Sequence, residues 1–286
     1  MGLVSHPGAD ARVAAARFGR LAARAYPWSS AEGLQLASDW ATWLFMRDDM
    51  CDESGLGEDP AAMRCQCASM IRVLCEGMDD SDESDPHAIA LANLRARILR
   101  LGGRDRLARF VGPTVDYFEA CVWEAQNRAR GRVPTMAEYV AMRRHTGGVL
   151  TCLAIADVTD DIRPSLSDQQ DPRVRRLIEI ANDAICWSND IFSAEKEMLQ
   201  GDFHNLVLVV KFRRDCDLDA AIAHVAQMHD AIIREFEVIE SRLDPDEGLA
   251  RFVSALKTWV RANVDWSIES GRYAPTTACE RRASVA

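Results

Sequence analysis

The sequence predicts an all-α fold, a single-domain helical bundle, on three observations. Period-2 alternation of apolar and polar residues is rare, and the turn pairs Asn-Gly and Asp-Gly are missing. Ala, Leu, Arg, Glu and Met dominate the periodic segments. The breaks between those segments are short, and no segment repeats another, so residues 1–286 read as one domain. With 48% apolar residues in 286, the chain can bury a wide core and is not a disordered one.

The helices follow in order from their punctuation. The first spans 8–24 and stops at Tyr26-Pro27, and Ser29-Ser30 supply N-caps for the second, 29–51. Gly55-Leu56-Gly57 closes that helix, and 58–76 is the third. The charged stretch from Asp79 to Pro86 is a solvated loop, after which 85–101 and 104–130 are helical. Gly131 to Pro134 stop the chain, and Thr135 with Glu138 forms a capping box that opens 135–157. Asp160 to Pro172 is a polar connection to the helix 172–199, which Gly201-Asp202 ends. Helices 202–213, 217–243 and 247–270 complete the bundle, and Pro275 marks the end of regular structure.

Charge and composition narrow the function. The formal charge of −10 argues against nucleic acid and against an anionic membrane surface as partners. No 18-residue apolar run and no basic-then-apolar N-terminus is present, so a soluble, cytoplasmic protein is expected. Nine cysteines are an odd number, and the one cluster (Cys65, Cys67, Cys75) has no C-x-x-C pair or nearby His. Reduced, mostly buried thiols are expected instead of a zinc site.

Two stretches carry metal chemistry. In the first, Asp48 and Asp52 lie one turn apart on one helix face, with Asp49 and Glu53 on an adjacent face. Beneath Asp48 come Leu44, Phe45 and Ala41, so a carboxylate rim tops an apolar stripe. Four acids in six residues repel one another unless solvated or bridged by cations. The stretch alone fits a solvated helix end as well as a Mg²⁺ site. The second is more specific: Asn189, Ser193 and Glu197 recur at four-residue steps and supply an amide oxygen, a hydroxyl and a carboxylate. An Asn and a Ser in mid-helix lower helix propensity, which calls for a compensating role. Lys196 adjoins the last of them and can approach an anion held there.

N-D-x-x-S-x-x-K-E from Asn189 to Glu197, paired with the upstream D-D-x-x-D, resembles the class I terpene synthases of bacterial type. Further residues extend the resemblance. Arg143 lies 46 residues before Asn189 and just ahead of Gly147-Gly148, where the family has a diphosphate-sensing arginine and a helix break. Arg272-Tyr273 matches the family's C-terminal Arg-Tyr pair, and Tyr26-Pro27 and the segment Gly201 to Val207 also sit in family order. The resemblance spans about residues 6–273 and leaves 274–286 as a tail. One departure is Thr146, which stands where some relatives carry an acid; the segment before the first helix is also shorter than in many of them.

The resemblance implies a helical bundle of the isoprenoid synthase type that ionises an isoprenyl diphosphate and cyclises the allylic cation. Farnesyl diphosphate is the favoured substrate, with geranylgeranyl diphosphate second. Three Mg²⁺ are expected, held by Asp48, Asp49 and Asp52 on one side and by Asn189, Ser193 and Glu197 on the other. Arg143, Lys196, Arg272 and Tyr273 would bind the diphosphate, and a backbone carbonyl at Gly147 would help to trigger ionisation. Phe45, Trp187, Trp266 and Phe118 are the candidate cavity aromatics. Family analogy favours a homodimer. A chain-elongating prenyltransferase would need a second D-D-x-x-D, for which Asp157, Asp160 and Asp161 are the sole candidate, and a proton-initiated cyclase would need D-x-D-D, which is absent. A non-catalytic helical scaffold is the remaining alternative, opposed by a full set of ligand residues.

Overall fold

The computed structural model describes residues 9–79 and 84–273, and among them all regular structure is helical. In chain order the helices are α1 (Ala9–Ala16), α2 (Phe18–Ala25), α3 (Ala31–Glu53), α4 (Pro60–Glu76), α5 (Pro86–Ala129) and α6 (Met136–Thr146). They continue as α7 (Val149–Asp160), α8 (Leu166–Gln170), α9 (Pro172–Gln200), α10 (Leu206–Arg214), α11 (Leu218–Glu240) and α12 (Glu247–Glu269), with a closing 3₁₀ turn at Gly271–Tyr273.

The starts are where the caps put them. Ser30 Oγ accepts from the Gly33 N–H at 3.1 Å, and Thr135 and Glu138 form the expected capping box. Asp59-Pro60, Asp85-Pro86 and Asp171-Pro172 each pair a carboxylate N-cap with a proline at the first helical position. The proline has no N–H to leave unsatisfied there, and its ring already holds a helical φ.

Four expected boundaries differ, one through a distant contact and three for local reasons. The segment 8–24 splits at Arg17, whose left-handed φ of 53° turns the Ala16 carbonyl out of the helix. That oxygen accepts from Trp266 Nε1 at 2.7 Å and from Ser270 Oγ at 3.1 Å. The segment 135–157 splits at Gly147-Gly148, where Gly148 takes φ 67°. The helix expected from 202 starts at Leu206, because Asp202 Oδ1 accepts from the backbone N–H of Phe203 and of His204 and so turns the chain. The polar connection before α9 holds the short α8, nucleated by a Ser165–Asp168 capping box. The gap between 101 and 104 is real: α5 breaks there at Gly103, φ 73°.

Helix α9 is the hub, in contact with α6, α7, α10, α11 and α12. From Ile180 to Ser188 it is buried on every side, so its polar residues there need partners. Asn182 Nδ2 donates to the Arg144 carbonyl at 2.8 Å, and Arg144 holds Asp183 through two bonds of 2.8 Å. On the other side α3 and α5 pack together around Trp40 and Trp43, stacked at 5.1 Å, with Phe110 edge-on to Trp40 at 4.8 Å. Both indole N–H groups are satisfied, by Thr151 Oγ1 at 2.9 Å and by the His87 carbonyl at 3.1 Å. Arg47 is also fully buried, its guanidinium over the Phe118 ring at 5.0 Å and bonded to Gln66 Oε1 at 2.9 Å.

The eight described cysteines are free and five of them are buried; Cys279 lies outside the described residues. No helix among the described residues is long and apolar enough to cross a membrane.

Candidate active site

A cavity of about 1050 Å³, counting the part open to solvent, enters the bundle between α3, α5, α9 and α12 and reaches the α6–α7 break. Its wall carries Leu44 and Phe45 from α3, Tyr117 from α5, Ile185 from α9 and Trp259 from α12, beside the polar Glu124, Arg128, Asp202, His204 and Asn263. At its mouth a recess of about 320 Å³ is lined by Asp48, Asn189, Ser193, Lys196, Glu197, Arg272 and Tyr273. Seven of the residues singled out in the sequence therefore meet at one place, carried by α3, α9 and the turn after α12.

The two ligand groups differ in environment. The Asp48 side chain is 62% exposed, whereas Ser193 is buried. Burial, with the charge of Asp190 beside it, pushes the Glu197 carboxyl up to about 7. The nearby Arg143 charge opposes that rise, and one Glu197 oxygen accepts from Asn205 Nδ2 at 2.8 Å. Asn189, Ser193 and Glu197 together offer an amide oxygen, a hydroxyl and a carboxylate, the oxygen set that a hard divalent cation fits.

The cations of the site rest on these groups. Arg143, in the last turn of α6, donates from Nη2 to Asn189 Oδ1 at 2.9 Å and lies 2.7 Å from Asp190 Oδ1. Its carbonyl accepts from the Gly147 N–H at 3.0 Å, which ties the arginine to the helix break. Arg272 takes both oxygens of Asp49, each at 3.0 Å, approaches Asp48 at 3.4 Å and lies 4.5 Å over the Phe45 ring. Asn189 Nδ2 donates to the Tyr273 hydroxyl at 2.5 Å.

Not every residue singled out in the sequence lines the recess. Asp49 pairs with Arg272, one step along α3 from Asp48 and turned about 100° from it. Burial alone would raise its carboxyl, but Arg272 holds it below the ordinary carboxylate range. The Asp52 and Glu53 side chains lie outside the described part of the structure. Of the four candidate aromatics, Phe45 alone lines the cavity. Trp187 is two residues from Asn189, about 200° round the helix, and is buried elsewhere in the core. Phe118 supports Arg47, and Trp266 backs Phe45 at 5.3 Å with its N–H committed to Ala16. Gly147 does line the cavity.

Tyr117, Trp259, Asp190, Asn205 and Asn263 were not singled out. Trp259 stands seven residues before Trp266, two turns along the same face, and that spacing was a usable signal. Asp190 sits inside the second motif, beside Glu197 on α9, but its side chain is fully buried and does not line the recess. It accepts from the Tyr139 hydroxyl at 2.8 Å and the Leu206 N–H at 2.9 Å, besides its contact with Arg143. Burial raises its pKa above the ordinary carboxylate value despite Arg143. Asp190→Asn should destabilise the fold by about 3–5 kcal/mol, since it leaves a buried guanidinium that cannot shed its proton. Denaturant titration reads this, and a change under about 1 kcal/mol would deny Asp190 that anchoring role.

The other acidic cluster is spent on arginines. Asp157 meets Arg109 at 2.7 Å and Arg106 at 3.4 Å, and Asp161 pairs with Arg106. None of Asp157, Asp160 and Asp161 lines the cavity or the recess, so the cluster does not serve as a second carboxylate rim.

Residues 39–235 match the family model for terpene synthase family 2, C-terminal metal binding. The chain is 37% identical over 266 residues to a (+)-T-muurolol synthase of Roseiflexus castenholzii, covering 91% of this chain and 81% of that protein. It is 34% identical over 277 residues to a germacrene A synthase of Nostoc punctiforme, covering 95% and 85%. The crystal structure of germacradien-4-ol synthase from Streptomyces citricolor superposes with a TM-score of 0.79 at 25% identity, over 93% of this chain and 87% of that one. The chain is a member of the bacterial class I terpene synthase family.

Proposed function

We propose that this chain, acting as one terpene synthase α-domain, ionises farnesyl diphosphate with three Mg²⁺ and cyclises the resulting cation. The observation that carries the reading is the mouth of the cavity. Asp48 and the Asn189-Ser193-Glu197 face share one recess with Lys196, Arg272 and Tyr273, next to a cavity that Leu44, Phe45, Tyr117, Ile185 and Trp259 help to line. The relative from Roseiflexus castenholzii is described as cyclising (2E,6E)-farnesyl diphosphate, which supports the choice of substrate.

The metal ions, when bound, neutralise the diphosphate and make it a leaving group. The protein's own part is positional. Arg143 and Arg272 present guanidinium forks and Tyr273 a hydroxyl to the phosphate oxygens, and Lys196 adds a fourth donor. Arg143 already reaches Asn189 Oδ1 at 2.9 Å and Arg272 approaches Asp48 at 3.4 Å, so both guanidiniums stand at the rim that would receive the diphosphate. Phe45, Tyr117 and Trp259 line the cavity, and an aromatic face presented to a cation stabilises it by about 0.5–2 kcal/mol. The apolar side chains of the wall help to exclude water that would quench the cation.

Incubation with Mg²⁺ and, in parallel, geranyl, farnesyl and geranylgeranyl diphosphate tests the reading by gas chromatography of the volatile products. Cyclic C15 products from farnesyl diphosphate are expected. Diphosphate release with acyclic products alone, or cyclisation restricted to the C10 or C20 substrate, would refute it.

A further inference from the structure

Asn205 stands immediately before α10 and is fully buried. Its Oδ1 caps the helix, accepting from the Val207 N–H at 2.8 Å and the Leu208 N–H at 3.4 Å. Because the cap takes the oxygen, the amide nitrogen must face the other way, toward α9. There its N–H groups meet the Asp190 carbonyl at 2.8 Å, Glu197 Oε2 at 2.8 Å and Ser193 Oγ at 3.2 Å. A flipped amide would give up the cap and set an oxygen against a carbonyl and a carboxylate, so the network fixes the orientation.

Two consequences follow for the ligand face of α9. Ser193 and Glu197 are joined to one rigid group that is itself clamped to the start of α10, so their oxygens keep a fixed separation. In addition, the N–H on Glu197 Oε2 directs a cation to Oε1. One-oxygen ligation suits a small octahedral ion such as Mg²⁺, whereas Ca²⁺ accepts both carboxylate oxygens in a larger, looser shell.

We propose that Asn205 is a positioning residue for the Asn189-Ser193-Glu197 triad and sets its preference for Mg²⁺ over Ca²⁺ by keeping Glu197 monodentate. The proposal rests on the reading above that this triad holds a divalent metal.

Asn205→Ser separates the two duties of the side chain. Serine caps a helix as well as asparagine does, but it has no N–H and is too short to reach Glu197. Calorimetric titration of Mg²⁺, and separately Ca²⁺, into full-length protein with inorganic diphosphate reads metal affinity without turnover. The variant should lose some thermal stability but stay folded, and bind Mg²⁺ about 10–100-fold more weakly, with a lower Mg²⁺/Ca²⁺ affinity ratio. Asn205→Thr, another capping residue without an N–H donor, answers the same question if the serine variant does not fold. Unchanged Mg²⁺ affinity and ratio in a folded variant would leave Asn205 a helix cap alone and overturn the proposal. A wild-type protein with no metal-dependent diphosphate binding would sink the reading of the triad, and the proposal with it.

Discussion

Arg143→Ala should lower kcat/KM by about 10²–10³-fold, the loss expected when one preorganised donor to developing negative charge is removed. The side chain is placed for that role twice over. Its Nη2 reaches Asn189 and Asp190, and its carbonyl holds the Gly147 N–H at the break beside the cavity. Arg143→Lys should recover little of the activity, because an ammonium keeps the charge but not the planar fork. Stability should fall less than in Asp190→Asn. With the guanidinium gone, Asp190 keeps its bonds to Tyr139 and Leu206, and a carboxylate can take up a proton where a guanidinium cannot lose one. Steady-state kinetics with helicity checked by circular dichroism is the measurement. Wild-type kcat/KM in Arg143→Ala would refute the assignment.

Gly147→Ala should be nearly as damaging, through backbone geometry. A Cβ there would stand 2.3 Å from Cys186 Sγ and 3.1 Å from the Arg143 carbonyl. Cysteine is too short to swing clear inside a packed core, so the break itself must shift, at a cost of about 1–3 kcal/mol. A displacement of about 1 Å at the reacting end is enough for a loss of about 10²-fold in rate. The cause can be isolated. Cys186→Ala removes the clashing sulfur, so Gly147→Ala/Cys186→Ala should regain at least about tenfold over Gly147→Ala alone. If the double variant were no better, the contact with Cys186 would not be what fixes the break. Gly148 is constrained differently, by φ 67° and by Leu44 Cδ1 at 3.2 Å from its would-be Cβ.

The helical bundle was legible because its signals are local. Caps such as Thr135–Glu138 and the Asp-Pro pairs act within one turn, and the structure has them where the sequence does. Arg17 carries no such signal. Its left-handed conformation is held by Trp266 and Ser270, about 250 residues away, and no window of sequence contains that contact. The site divides in the same way. Asn189, Ser193 and Glu197 were visible as a repeat on one helix face. The pairing of Asp49 with Arg272 joins opposite ends of the chain, so it was not. The cavity aromatics fared worst, because one residue's offset turns a side chain about 100°. Tyr117 lines the cavity while Phe118 lies under Arg47.

The Ala16 carbonyl has a bearing on how the enzyme is made. Its bonds to Trp266 and Ser270 join the second helix boundary of the chain to its last, and Ser270 Oγ in turn accepts from the Arg272 N–H at 3.1 Å. A ribosome adding residues in order releases α1 and α2 long before their partner exists. Closing a loop of that length carries an entropic penalty that grows with the logarithm of its size, and the contact cannot form until residue 270 has been made. The turn bearing Arg272 and Tyr273 therefore takes its native place well after α1 and α2 are made. A nascent chain can hold most of its core, and the ligand face of α9, while its mouth is still unassembled.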